Sequence, residues 1–214
     1  MSRILDLKQI ERKAYRSTYE DGLWDIQLGL IVLGLAMFMY RPEGGYSANN
    51  LIWFVLTFLL ANTLFWAGKK YITVPRLGQV RFGEARQQKK KNMAIILGII
   101  VLIQVLVVGM TTFGWLNPVF GSKLFGEVSL EHLAIAALGS LFVGPPMLFI
   151  AFMNDFQRGY YIAVLFALSV FLMIYFNQPI YALILGGCIL IPGLVLFTRF
   201  LRAYPIPHGD GSNG

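Results

Sequence analysis

The feature that most constrains this chain is a series of long apolar runs, separated by short blocks that hold nearly all of its charge. Within the runs, the only Asp, Glu, Lys or Arg is Asp25. About 20 residues of α-helix cross the hydrocarbon core of a bilayer, and backbone groups in lipid must find partners within their own segment. We therefore predict six transmembrane helices, at residues 22–40, 51–68, 93–113, 133–153, 159–176 and 180–198.

Composition supports this interpretation. Hydrophobic residues make up 57% of the chain and charged residues only 14%, whereas a soluble globular chain carries roughly 25% charged residues. The fifth and sixth runs are separated only by Asn177, Gln178 and Pro179, and Asn and Pro are turn residues. We therefore expect a tight hairpin there. The predicted fold is an all-α integral membrane protein, a six-helix bundle of three hairpins spanning 22–68, 93–153 and 159–198.

The placement of basic residues predicts an orientation. If the N-terminus is cytoplasmic, all 18 Lys and Arg residues except Arg41 and Lys123 fall in segments on the inner side. Cytoplasmic loops are enriched in Lys and Arg, so this bias predicts that both termini are cytoplasmic. The expected location is a cell membrane, of the prokaryotic plasma membrane type.

The segments outside the spans have their own patterns. Residues 1–21 alternate charged and apolar positions at helical spacing, which predicts an amphipathic helix at the cytoplasmic interface. In the cytoplasmic loop 69–91, residues 71–82 are rich in β-formers and contain Pro75 and Gly78, which predicts a short extended segment or hairpin. Residues 84–91 are good helix formers and are expected to extend the third span inward by two turns. Residues 199–214 are expected to form a cytoplasmic tail with a disordered end.

Four polar residues are candidates for an ion site or polar site within the membrane: Asp21, Asp25, Asn62 and Gln104. Asp25 lies about one turn inside the first span, where an ionised carboxylate is costly, and Asp21 precedes it by one helical turn. One interpretation is a cation or proton site. The other is a carboxylate at the headgroup level, paired with Arg16, Lys69, Lys70 or Arg158. Asn62 and Gln104 also fit simple hydrogen bonding between helices.

Two proline-containing sequences interrupt predicted spans, Gly144-Pro145-Pro146 and Ile191-Pro192-Gly193. Carbonyls freed in a broken helix can coordinate ions or permit a hinge. Proline is also tolerated as a simple kink where neighbouring helices satisfy the backbone. Both interpretations remain open at this point.

The inner loop is strongly basic and is a candidate contact for anionic lipid headgroups or a protein partner. Its basic residues are Lys69, Lys70, Arg76, Arg81, Arg86, Lys89, Lys90 and Lys91. Each basic residue near an anionic membrane surface adds about 1 kcal/mol of attraction. Nucleic acid binding is not expected, because the topology alone requires this charge bias.

No motif predicts catalysis. The sequence contains no Gly-x-x-x-x-Gly-Lys, His-Glu-x-x-His or Gly-x-Ser-x-Gly pattern, so no catalytic residue, cofactor or metal site is predicted. The expected function is that of a non-enzymatic accessory or scaffold subunit that docks a partner through its basic cytoplasmic face. The alternative is a small oligomeric transporter or channel that uses Asp25 and the proline-broken helices. An intramembrane enzyme acting on lipids is the weakest of the three.

Overall fold

The computed structural model describes residues 19–40, 48–77, 84–112 and 128–205, and within these ranges the chain forms helices and turns without any strand. The helices are α1 (Leu23–Met39), α2 (Ala48–Gly68), α3 (Val74–Leu77), α4 (Glu84–Thr112), α5 (Val128–Met153), α6 (Gln157–Tyr175) and α7 (Ile180–Ala203). A π-helical turn, Lys69–Thr73, joins α2 directly to α3.

Five helical stretches are long and apolar enough to cross a membrane. They are Ala48–Leu77, Gln87–Val107, Leu133–Met153, Gln157–Tyr175 and Ile180–Ala203. This confirms the prediction that the described chain is all-helical and contains several helices long and apolar enough to span a membrane. The first predicted span corresponds to α1, which is apolar but has only 17 residues. At 1.5 Å per residue it is about 25 Å long, so the count of six spans stays a prediction.

Two local predictions can be compared directly with helix boundaries. α4 begins at Glu84, which agrees with the predicted inward extension of the third span. α6 and α7 are separate helices, and Asn177 between them has φ 52°, in the left-handed region that Asn tolerates better than most residues. The predicted interfacial helix lies mostly outside the described residues, as do residues 206–214 of the predicted tail, while Arg199–Ala203 belong to α7.

The prediction of an extended segment at 71–82 is wrong over residues 71–77, which are helical; residues 78–82 lie outside the described residues. The helical path continues from α2, and the π-helical turn ends at Thr73, two residues before Pro75. Proline has no N–H to bond a carbonyl in the preceding turn. Tertiary contacts of Thr73 and Arg76, described below, hold this helical path. They outweigh the β-propensity of Ile72, Thr73 and Val74.

The core lies where α1, α6 and α7 meet, with α5 packed against α6. Its buried side chains are Leu28, Val32, Ala36, Phe156, Ile162, Phe166, Val170, Met173, Ala182 and Ile189. Close approach of α1 and α7 depends on glycine. A Cβ placed on Gly29 would lie 2.9 Å from the Leu190 backbone, and one on Gly22, at φ +73°, would lie 2.5 Å from the Gly193 carbonyl oxygen. Small residues at such contacts are typical of helix pairs in membranes.

α4 packs quite differently. None of its described side chains is buried, and it lies mainly against α5. A Cβ on Gly98 would meet nothing within 4 Å. Its apolar surface is therefore available to lipid or to another protein.

Candidate functional site

Most of the described basic residues gather at one end of the bundle, which we call the basic end. Three contacts define it: one joins the turn after α2 to the start of α1, one joins the end of α5 to α4, and one joins the start of α6 to the start of α1. Lys69 contacts Asp21, Asn154 contacts Met93, and Arg158 contacts Asp25. The basic end thus includes both acidic residues of the predicted membrane site.

Asp21 is completely buried just before α1. One carboxylate oxygen accepts hydrogen bonds from Lys69 Nζ and Thr73 Oγ1, both at 2.7 Å, and the other accepts one from the Leu23 backbone N–H at 3.2 Å. A carboxylate at a helix N-terminus also interacts favourably with the helix dipole. Asp21 therefore fastens the start of α1 to the π-helical turn that follows α2.

Asp25 lies one turn further into α1 and is only 3% exposed. Arg158 of α6 places Nη1 at 3.4 Å from Asp25 Oδ1 and 3.3 Å from Oδ2. Arg158 also donates to the Tyr19 carbonyl oxygen and lies 5.7 Å from the centre of the Phe156 ring. Of the four basic partners named from the sequence, the structure places Arg158 beside this carboxylate.

The backbone of α7 covers Asp25. A Cβ placed on Gly193 would lie 2.8 Å from Asp25 Cβ and 2.9 Å from the Ile26 nitrogen. Only a residue without a side chain fits at this position. Asp25 is therefore enclosed between α1, α6 and α7, while the Arg158 side chain is 31% exposed. Loss of Arg158 would leave an uncompensated buried charge.

Asn62 takes part in a hydrogen bond between α2 and α1, and this bond is separate from the two ion pairs. Its side-chain oxygen accepts a hydrogen bond from Gln27 Nε2 at 3.0 Å, and its Nδ2 donates to the Phe58 carbonyl oxygen at 2.8 Å. Gln27 is itself buried, and its Oε1 has no hydrogen-bond partner among the described atoms. Sequence analysis did not single out Gln27, although a Gln inside the first apolar run was the available signal.

Gln104 is separate from the other three predicted residues. Its Nε2 donates to the Phe142 carbonyl oxygen at 2.7 Å. Phe142 lies four residues before Pro146, which has no N–H for that carbonyl to accept from. Gln104 of α4 therefore supplies the hydrogen bond that the proline removes from α5.

The same arrangement occurs at the second proline. Tyr161 of α6 donates from its hydroxyl to the Cys188 carbonyl oxygen at 2.8 Å, and Cys188 lies four residues before Pro192. Both α5 and α7 run continuously through their prolines, which is the arrangement expected of simple kinks. The role of Tyr161 was not predicted, because a tyrosine near a span end is indistinguishable in sequence from an interfacial anchor.

The predicted basic contact residues separate into two groups. Lys69 is held by Asp21, and Arg76 donates from Nη1 to the Leu201 and Tyr204 carbonyl oxygens at 3.0 and 2.8 Å. Arg76 thereby satisfies carbonyls at the end of α7, a known role for basic side chains. By contrast, Lys70, Lys89, Lys90 and Lys91 are exposed. Arg81 and the side chain of Arg86 lie outside the described residues.

Within the described ranges, no group of three or more His, Cys, Asp or Glu residues is arranged to hold a metal ion. Comparison of the chain with protein-family models, with curated proteins and with solved structures gives no match. The arrangement of side chains is therefore the basis for a functional proposal. Chemically, it provides two ion pairs with buried carboxylates and an exposed set of lysines.

Proposed function

We propose that this protein is a non-enzymatic accessory or scaffold subunit of a membrane assembly, and that a partner docks on its basic end. The observation that carries the proposal is that Asp21 and Asp25 are both enclosed in contacts with fixed cations, Lys69 and Arg158. The paired residues are 48 and 133 positions apart in the sequence. Their geometry is that of contacts that hold the helices together. We call the exposed lysines at the same end, Lys70 and Lys89–Lys91, the platform.

The platform faces the cytoplasm in this proposal. Enrichment of Lys and Arg on the inner side is the general rule for membrane proteins. The exposed lysines Lys89, Lys90 and Lys91 occupy the beginning of α4, beyond the apolar part of that helix. They suit an acidic protein surface, and anionic headgroups compete for the same charge. The apolar surface of α4 would contact lipid, a partner helix or a second copy of the chain.

Co-purification from native membranes in mild detergent tests this proposal. The wild-type chain should retain a partner, and the triple substitution of Lys89, Lys90 and Lys91 by Glu should lose it at an equal amount of folded protein. Gln88→Glu is the matched control, because it adds negative charge to the same turn and keeps all three lysines. Recovery of the wild-type chain alone, or equal loss in the control, would contradict docking at these lysines.

Ion or proton transport is the second candidate, and one observation favours it. Asp25 Oδ2 is buried and accepts no hydrogen bond among the described atoms, while Gly193, next to Pro192 in α7, lies directly against this residue. Reconstitution in liposomes separates the two proposals. Flux that is abolished by Asp25→Asn and retained by Asp21→Asn would favour transport, and the scaffold proposal expects no flux in any of the three proteins.

A further inference from the structure

Two adjoining grooves open at the basic end, beside the ion pair of Asp25 and Arg158. The first has a volume of about 230 Å³ and is lined by Tyr19, Glu20, Asp155, Phe156, Gln157 and Arg158. The second has a volume of about 300 Å³ and is lined by Glu20, Arg158, Leu196, Arg199, Phe200 and Ala203. Because Glu20 and Arg158 line both, the two grooves form one continuous feature.

The two grooves differ in charge. The first contains the carboxylates of Glu20 and Asp155 at its edge. The second contains the guanidinium groups of Arg158 and Arg199, above an apolar floor that includes the buried ring of Phe200. Counting the shared Glu20 and Arg158, the first groove has two acidic groups and one basic group, and the second has two basic groups and one acidic group beside the apolar side chains of Leu196, Phe200 and Ala203.

The position of the second groove matches the headgroup level of a bilayer. Arg199 lies in the last turns of α7, near the end of an apolar helix, and the preceding turns expose Leu194 and Val195. Basic side chains near the end of a spanning helix lie at the interface, while apolar side chains deeper in the span contact acyl chains. A ligand in this groove can place a charged head between the arginines and a hydrocarbon tail along α7.

We propose that these grooves form a binding site for one zwitterionic phospholipid with a primary ammonium group, of the phosphatidylethanolamine class. Its phosphate interacts with Arg199 and Arg158, and its ammonium interacts with Glu20 and Asp155. Arg–phosphate hydrogen bonds are among the strongest in proteins. Arg199 lines only the groove with the apolar floor and Asp155 lines only the other groove, which suits a phosphate next to the hydrocarbon tail and an ammonium beyond it.

The aromatic side chains favour a primary ammonium over a quaternary one. Quaternary ammonium groups are recognised by free aromatic faces. Tyr19 and Phe156 stack on each other at 5.1 Å between ring centres, and the Arg158 guanidinium lies over the Phe156 ring. The carboxylates of Glu20 and Asp155 are then the groups that recognise the ammonium. A carboxylate accepts hydrogen bonds from N–H groups, which a primary ammonium has and a quaternary one lacks.

Native mass spectrometry of the purified full chain, titrated with single lipids, tests this site. Phosphatidylethanolamine should bind roughly tenfold more tightly than phosphatidylglycerol or phosphatidylcholine, which is the size expected for one hydrogen-bonded charge contact. Glu20→Gln should abolish that preference. Arg199→Gln should weaken binding of all three lipids, because each has a phosphate. Both positions are exposed, so neither substitution is expected to prevent folding.

Arg202→Gln is the matched control, because Arg202 is an exposed arginine of the same helix end that lines neither groove. Binding of phosphatidylethanolamine should be unchanged in this variant. Equal affinity for phosphatidylglycerol, equal affinity for phosphatidylcholine, or a loss in Arg202→Gln as large as in Arg199→Gln would overturn the proposal. None of these outcomes depends on whether a protein partner docks on Lys89–Lys91, so the two proposals can fail separately.

Discussion

The core formed by α1, α6 and α7 and the peripheral helix α4 have similarly apolar sequences, yet they pack in different ways. In the core, glycines allow backbones to approach closely, and Asp25 and Gln27 each contact a polar side chain of another helix. In α4, no described side chain is buried; Gln104 donates to the Phe142 carbonyl oxygen of α5, and Met93 Sδ accepts a hydrogen bond from Asn154 just after α5. Because lipid is as apolar as the helices, apolarity does not drive helices together in a membrane. Small residues and polar pairs determine which helices pack.

The largest effect should come from removing the cation that pairs with the buried carboxylate of Asp25. Arg158→Met leaves Asp25 enclosed without its cation, and removing one partner of a buried pair typically costs about 3–5 kcal/mol. The measurement is the free energy of unfolding in detergent. Adding Asp25→Leu should recover much of the loss. Arg202→Met is the control, and an equally small effect of both arginine substitutions would mean that the pair does not support the core.

The next effect should come from the close contact of α1 with α7. Gly193→Ala places a methyl group 2.8 Å from Asp25 Cβ, and such overpacking typically costs about 1–3 kcal/mol. Gly187→Ala is the matched control on the same helix, because a Cβ there meets nothing within 4 Å. Alanine favours helix over glycine by up to about 1 kcal/mol, so the control should be neutral or stabilising in thermal unfolding. The same sign for both variants would contradict the close contact.

A smaller effect is expected where α4 joins α5. Gln104→Leu removes the donor to the Phe142 carbonyl, and hydrogen bonds between membrane helices are worth about 0.6 kcal/mol on average. The Pro146→Ala background restores an N–H to α5, so Gln104→Leu should cost less there. A double-mutant cycle of unfolding free energies measures this difference. Equal costs in both backgrounds would show that Gln104 does not compensate for the proline.

The smallest effect should come from the exposed surface of α4. Leu102 is 59% exposed, whereas Ile162 in α6 is completely buried. In the detergent-solubilised monomer, Leu102→Ala should change the unfolding free energy by no more than about 0.5 kcal/mol, as for other surface substitutions. Ile162→Ala should cost clearly more. If Leu102→Ala instead destabilises an oligomer detected by crosslinking, a second chain covers α4.

The apolar runs located the long apolar helices of the described chain. Helix α4 begins at Glu84, within the stretch expected to extend the third span, and the chain reverses at Asn177 between α6 and α7. The extended segment predicted for residues 71–77 was wrong, because local β-propensity does not include the Asp21 contact of Thr73 or the α7 contact of Arg76. Propensity is a property of neighbours in sequence, and these contacts join residues far apart in the chain.

For the candidate site, sequence alone identified Asp21 and Asp25 as unusual, because carboxylates next to or within an apolar run are costly in lipid. It also determined that the chain is helical and apolar enough for a membrane. Tertiary structure decided the partners: Lys69 for Asp21, Arg158 for Asp25, and Gln27 for Asn62. It also decided that Gln104 and Tyr161 bond carbonyls at the prolines. The physical reason is that hydropathy is a local property of each run, while pairing depends on which helices approach closely enough for side chains to meet.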